Sequence, residues 1–225
     1  LTLRRVGTHP RRVVLGMMIA TGFLSMWVSN TATTLMMLPI ALSVLTLVVE
    51  RSSAHESDGD GSDVADGRPL SETISDPRVK TFGVALVLSV AWSASIGGLG
   101  TLLGSPPNAI VAGYISRELG EEVQFIDWML LGVPLVVVFI ALAWLLITRV
   151  LFRIDLEEIP GGRAMIQEQI DELGPMSQGE KVVLGVFCSA AFLWVVPPLL
   201  SSIGAIGDAL PWLGTLDDTA IAIAA

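Results

Sequence analysis

Two asparagines, Asn30 and Asn108, are the only ones in 225 residues, and each stands inside a long run without a formal charge. Around the first the chain reads SMWVSNTATTLMMLPI, and Ser25 precedes Ser29 by one helical turn. That spacing lets both hydroxyls approach the point that the Asn30 amide faces. Around the second it reads SIGGLGTLLGSPPNAI, where Gly97, Gly98, Gly100 and Gly104 are followed by Pro106 and Pro107. Glycine loosens the backbone and proline removes donors, so no helix runs smoothly through this stretch. The break frees carbonyls on one side and amide groups on the other. Hydroxyl, amide and carbonyl oxygens together suit a hard, weakly held cation such as Na+. Half-helix N-termini suit an anion, through N–H groups and the helix dipole. Broken helices that bring both features to the middle of a membrane are the pattern of secondary transporters.

The elements that must carry these residues follow from composition. Apolar residues make up 52% of the chain and charged residues 16%, with mean hydropathy +0.68. A soluble domain carries about a quarter charged residues. Four runs lack Asp, Glu, Lys and Arg: 13–49, 81–116, 128–148 and 182–207. One membrane crossing takes about 20 apolar residues. The third run is therefore one helix, and the fourth one helix with an apolar extension. The first two are too long for one crossing, and the asparagine motifs interrupt them. The expected fold is an all-α polytopic membrane protein.

Basic residues decide the topology. Four fall in 1–12, four in 50–80, one in 117–127, four in 149–181 and none in 208–225. Lys and Arg collect on the cytoplasmic side. The most lopsided split puts 1–12, 50–80 and 149–181 together. It requires 13–49 to enter and return as a re-entrant hairpin with the Ser-Asn-Thr tip, and 81–116 to cross once as a broken helix. Each hairpin arm has roughly 17 residues, about 26 Å as a helix. Pro39 is expected to kink or end the second arm. A non-helical tip at that depth must be buried in protein or line a watery cavity. The 50–80 loop holds eight acids and reads as an acidic flexible cytoplasmic linker. Residues 149–181 form a cytoplasmic connector. Residues 208–225 read as an extracellular loop and the start of a further helix, and the chain as an internal piece of a larger protein.

Ser93, Ser95 and Thr101 read as hydroxyls bonded back to their own helices, and Trp27 and Trp92 as packing residues. Cys188, the one cysteine, reads as a small core residue. His9 and His55 have no partners at metal-ligand spacing, and no nucleophile–base pair or carboxylate dyad lies in the apolar runs. An enzyme is not expected.

The two motifs, SMWVSNTATTLMMLPI and SASIGGLGTLLGSPPNAIVAGY, closely resemble signatures of the divalent-anion:sodium symporter family, the dicarboxylate and sulfate transporters. The resemblance is strong at the motifs and general elsewhere. It implies an inverted-repeat transporter, each repeat carrying a Ser-Asn-Thr hairpin and a broken helix. This chain has one such set, so it resembles the first repeat without its opening helices. The resemblance implies a sodium site at Ser25, Ser29, Asn30 and the Gly104 carbonyl. It implies substrate contacts at Asn30, Thr31, Ser105 and Pro106, with Asn108 supporting the broken helix. A second sodium site and the rest of the pocket would lie outside the chain. The implied partners are a small dianion, Na+ as coupling ion, the lipid bilayer of the cell membrane and a second copy in a homodimer. No organic cofactor and no nucleic acid are expected.

The function expected is sodium-coupled symport of a small dicarboxylate of the succinate or malate type. Sulfate or tricarboxylate transport, sodium-independent anion exchange, and a non-transporting membrane anchor with an acidic interaction loop are the alternatives.

Overall fold

The computed structural model describes residues 9–56, 76–152, 154 and 176–201. The regular structure among them is entirely helical: α1 Pro10–Ser25, α2 Asn30–Glu56, α3 Pro77–Gly97, α4 Pro106–Leu119, α5 Phe125–Leu145, a π-helical turn Leu146–Leu151, and α6 Gln178–Ser201.

Local chemistry explains the boundaries. Pro10, Pro77 and Pro106 open their helices, where the missing N–H costs nothing. Asp76 caps α3 by accepting from the Arg78 N–H at 2.8 Å. Gln124 and Asp127 form a capping box at the start of α5, and Ser177 and Glu180 bond reciprocally at the start of α6. Gly120, at φ 72°, ends α4 in the left-handed conformation.

α1 and α2 form an antiparallel hairpin joined by residues 26–29, and α3 packs against both arms. The core lies between them. Val13, Val14, Met17 and Met18 of α1 meet a buried stripe of Phe82, Ala85, Leu86 and Val90 on α3. α2 contributes Met37, Ala41, Leu45 and Val48 to the same core, the spacing of one helix face. Gly22 and Gly97 let α1 and α3 touch backbone to backbone: a Cβ on Gly97 would lie 2.2 Å from the Gly22 carbonyl oxygen. At the open end of the hairpin the Trp144 indole donates to the Arg11 carbonyl at 2.9 Å, so the end of α5 sits beside the start of α1.

The hairpin tip and the break in the second run meet. Gly132, seven residues into α5, packs on the carbonyls of Leu99 and Gly100. The break therefore lies about 10 Å along α5 from its start. The spans long and apolar enough to cross a membrane are Asn30–Val49, Pro77–Gly97, Phe125–Leu151 and Gln178–Pro197. Large apolar side chains on α5, among them Leu130, Leu131 and Val137, point outward, as lipid contact requires.

Several sequence expectations change. α2 runs through Pro39 and on to Glu56. One missing hydrogen bond is outweighed by the burial of Met37 before the proline and Ala41, Leu45 and Val48 after it in the shared core. Helices also extend past the charge-free runs: α3 starts at 77 instead of 81, α4 ends at 119 instead of 116, and α5 starts at 125 instead of 128. Caps, not the first charge, end a helix. Cys188 is exposed on α6, not in a core, because the first turns of α6 touch few of the described residues. Most of the acidic 50–80 loop and of the 149–181 connector, and all of 208–225, lie outside the described residues.

Candidate functional site

The site forms where the C-terminal end of α1, the start of α2 and the break between α3 and α4 converge. Ser25, fully buried, is the last residue of α1. Its hydroxyl lies 2.8 Å from the Asn30 side-chain oxygen and 2.6 Å from the Ala94 carbonyl on α3. The end of the Asn30 amide faces three oxygens, Ser25 Oγ at 2.8 Å, Ala94 O at 3.0 Å and Gly104 O at 3.3 Å. It has two uses there. With nitrogen turned inward, the amide has two N–H groups to share among the three. With oxygen turned inward, the amide adds a fourth oxygen within 3.3 Å of the other three, and the Ser25 hydroxyl holds the only proton among them. That second arrangement fits a hard monovalent cation and nothing apolar.

Glycine makes the approach possible. A Cβ on Gly98 would fall 2.2 Å from the Asn30 side-chain oxygen, and one on Gly104 would fall 2.7 Å from Gly98 O and 2.9 Å from Ser25 O. Any side chain at either position would fill the space that the Asn30 amide occupies or push the hairpin tip away.

Asn108 holds the break in shape. It is buried, and its amide nitrogen donates to Gly98 O at 2.7 Å and Thr101 O at 2.8 Å. One side chain thus ties the two flanks of the unwound stretch to the first turn of α4. Thr101, also fully buried, does the same toward the hairpin: its hydroxyl donates to the Met26 carbonyl and accepts from the Gly104 N–H. Here the expectation of a self-bonded hydroxyl fails for Thr101, while Ser93 and Ser95 do bond back to Ser89 O and Ala91 O. Thr101 lies outside any helix, so it has no helical turn of its own to bond back to. Its place among the glycines was the available signal.

Of the predicted cation residues, Ser25, Asn30 and Gly104 come together. The Ser29 hydroxyl instead lies at the exposed start of α2, 3.4 Å from the Ala32 N–H that donates to it. Ala94, whose carbonyl is central to the cluster, carries no sequence signal, because a main-chain oxygen has no residue type.

The predicted substrate residues Thr31 and Ser105 directly follow Asn30 and Gly104, whose polar atoms are 3.3 Å apart. Thr31 and Pro106 are exposed, and Ser105 is half-buried. Donors for an anion are unequal at the two half-helices. Pro106 and Pro107 have no N–H, and Asn108 N–H donates to Ser105 O at 3.0 Å, so the first turn of α4 offers a dipole and the uncapped Ser105 hydroxyl. At α2, Thr33 N–H is taken by Ser29 O at 2.9 Å. Among the described residues the N–H groups of Asn30 and Thr31 have no partner. The expectation of N–H donors from both half-helices holds for α2 and is corrected for α4.

Trp27 packs as expected, against Phe125 and, edge-on, against Phe187 at 5.1 Å. Phe125 stacks in turn on Trp194, so an aromatic cluster joins the hairpin tip to α5 and α6.

Comparison with known proteins agrees with this architecture. Residues 1–224 match the family model described as the sodium:sulfate symporter transmembrane region. A protein named sodium-dependent dicarboxylate transporter SdcS from Staphylococcus saprophyticus is 40% identical over 198 residues, covering 88% of this chain and 35% of the relative. The protein of the same name from Staphylococcus aureus strain NCTC 8325 is 38% identical over 196 residues, 87% of this chain and 34% of the relative. The chain thus spans about a third of the length of these relatives. With its paired asparagine motifs, its broken helix and its apolar spans, the chain is a multi-pass cell-membrane protein, helical in its described residues, belonging to the sodium:sulfate symporter family.

Proposed function

We propose that the full-length protein is a secondary active transporter that couples Na+ to the import of a small dicarboxylate of the succinate or malate type. The observation that carries this reading is the Asn30 amide facing Ser25 Oγ, Ala94 O and Gly104 O within 3.3 Å. Na+ binding turns the amide oxygen inward and fixes the start of α2. The fixed turn then presents the N–H groups of Asn30 and Thr31, with the hydroxyls of Thr31 and Ser105, to one carboxylate. The cation supplies the charge that a dianion needs, and no buried arginine is required. The names of the relatives support sodium and a dicarboxylate. Sulfate is the second reading, favoured by the description of the matching family.

We assign Ser25, Asn30 and Gly104 to the cation, with Ser29 shaping the turn, and Asn30, Thr31, Ser105 and Pro106 to the anion. Asn108 keeps the break open. The hairpin is re-entrant in this reading, which the depth of the break along α5 supports.

The test is uptake of labelled succinate into proteoliposomes holding the full-length protein, under an inward Na+ gradient and with K+ in its place. Excess unlabelled malate and sulfate are added as competitors. Uptake that requires Na+ and is suppressed by malate supports the reading. Suppression by sulfate alone moves the substrate to sulfate, and uptake indifferent to Na+ removes the coupling.

A further inference from the structure

We propose that Trp128 on α5 is a positioning residue for the cation site, acting through the Leu99 carbonyl; this rests on the sodium reading above. The unwound residues 98–105 carry carbonyls that no helix satisfies, and what each one meets decides which of them point at a cation. Gly97 O accepts from Gly100 N–H at 2.9 Å. Gly98 O and Thr101 O accept from Asn108. Gly104 O faces Asn30. Leu99 O accepts from the Trp128 indole N–H at 3.0 Å, a donor from a different helix.

A second contact lies one helical turn further along α5. A Cβ on Gly132 would sit 2.7 Å from Leu99 O and 2.9 Å from Gly100 O. Trp128 and Gly132 therefore form one face, i and i+4, that grips two successive carbonyls of the break. Leu99 follows Gly98, where a Cβ would fall 2.2 Å from the Asn30 side-chain oxygen. The peptide units on either side of Leu99 involve Gly98 and Gly100, which have no Cβ to restrain them. Without the indole donor, the Leu99–Gly100 peptide keeps its N–H bond to Gly97 O but loses the hold on its carbonyl, so it can tilt, and the wall against Asn30 moves with it. Trp128 touches neither ion nor substrate; it selects the carbonyl arrangement that they meet.

The experiment replaces Trp128 in the full-length protein with 3-benzothienylalanine, an isostere in which sulfur stands for the N–H. The same replacement at Trp144, whose indole donates to Arg11 O far from the break, is the control. Thermal unfolding of the purified protein is followed against Na+ concentration, with K+ holding ionic strength constant. The expected result is a half-saturating Na+ concentration raised about three- to tenfold at position 128, the effect of one lost hydrogen bond. The unfolding temperature in K+ stays near that of the unmodified protein, and the Trp144 replacement leaves the Na+ half-point unchanged. An unshifted half-point at position 128, or an equal shift at 144, overturns the proposal. An unmodified protein with no Na+-dependent stabilisation overturns the sodium reading, and this proposal with it. Na+ stabilisation without succinate uptake by the same protein overturns only the substrate, and the shift at position 128 then still supports the proposal.

Discussion

At the scale of single residues, the two asparagines divide the work. Asn30 faces oxygens and can turn either end of its amide to them, which suits a group that responds to an ion. Asn108 spends its nitrogen on Gly98 O and Thr101 O and is committed to holding the backbone. Asn108→Ala leaves two buried carbonyls without donors and is expected to lower stability by about 2–4 kcal/mol. Thermal unfolding in detergent checks this, and an unchanged melting temperature would show that the break does not depend on it. Most of this scale was legible in sequence, because polar side chains in an apolar run have few reasons to be there. What was not legible was the main chain: Ala94 O, Met26 O and Leu99 O are partners of Ser25, Thr101 and Trp128, and no residue type marks a carbonyl.

At the scale of elements, the hairpin and the broken helix were foreseeable from the two interruptions, and their contact was not. It depends on glycines that meet across helices. Gly97→Ala puts a methyl group 2.2 Å from Gly22 O, where backbone cannot yield. The α1–α3 pair must separate, at a cost of about 1–3 kcal/mol, with loss of the Ser25–Ala94 contact. Gly185→Ala on α6, with nothing within 4 Å, is the matched control and should gain up to about 1 kcal/mol from helix propensity. Comparison of the two melting temperatures decides whether close packing or glycine itself sets the cost. Pro39 does not end α2 for a related reason: a local rule about proline says nothing of the stripe Met37, Ala41, Leu45 and Val48 that α2 buries in the shared core.

At the scale of the whole molecule, the charge pattern predicts sides. The 50–80 loop should face the cytoplasm, and the 117–127 loop should face the other way. With Cys188→Ser as background, single cysteines at Ser62 and Glu121 should react with a membrane-impermeant maleimide from opposite sides of the membrane. Reaction from the same side would refute a single crossing by 81–116. A further single cysteine at Thr8 should react from the side of Ser62; its reaction from the opposite side would refute the re-entrant hairpin, since a first run that crossed once would separate 1–12 from 50–80.

In the proposed mechanism the Asn30 amide couples the ion to its passenger. The most direct measurement is Na+-driven succinate uptake by full-length Asn30→Ala beside the unchanged protein, over a range of Na+ concentrations. The loss of one of four clustered oxygens should raise the half-saturating Na+ concentration at least about tenfold, or abolish uptake, while the protein still unfolds cooperatively. Uptake with an unchanged Na+ dependence would contradict the account and leave Asn30 as a purely structural link between Ser25 and the break.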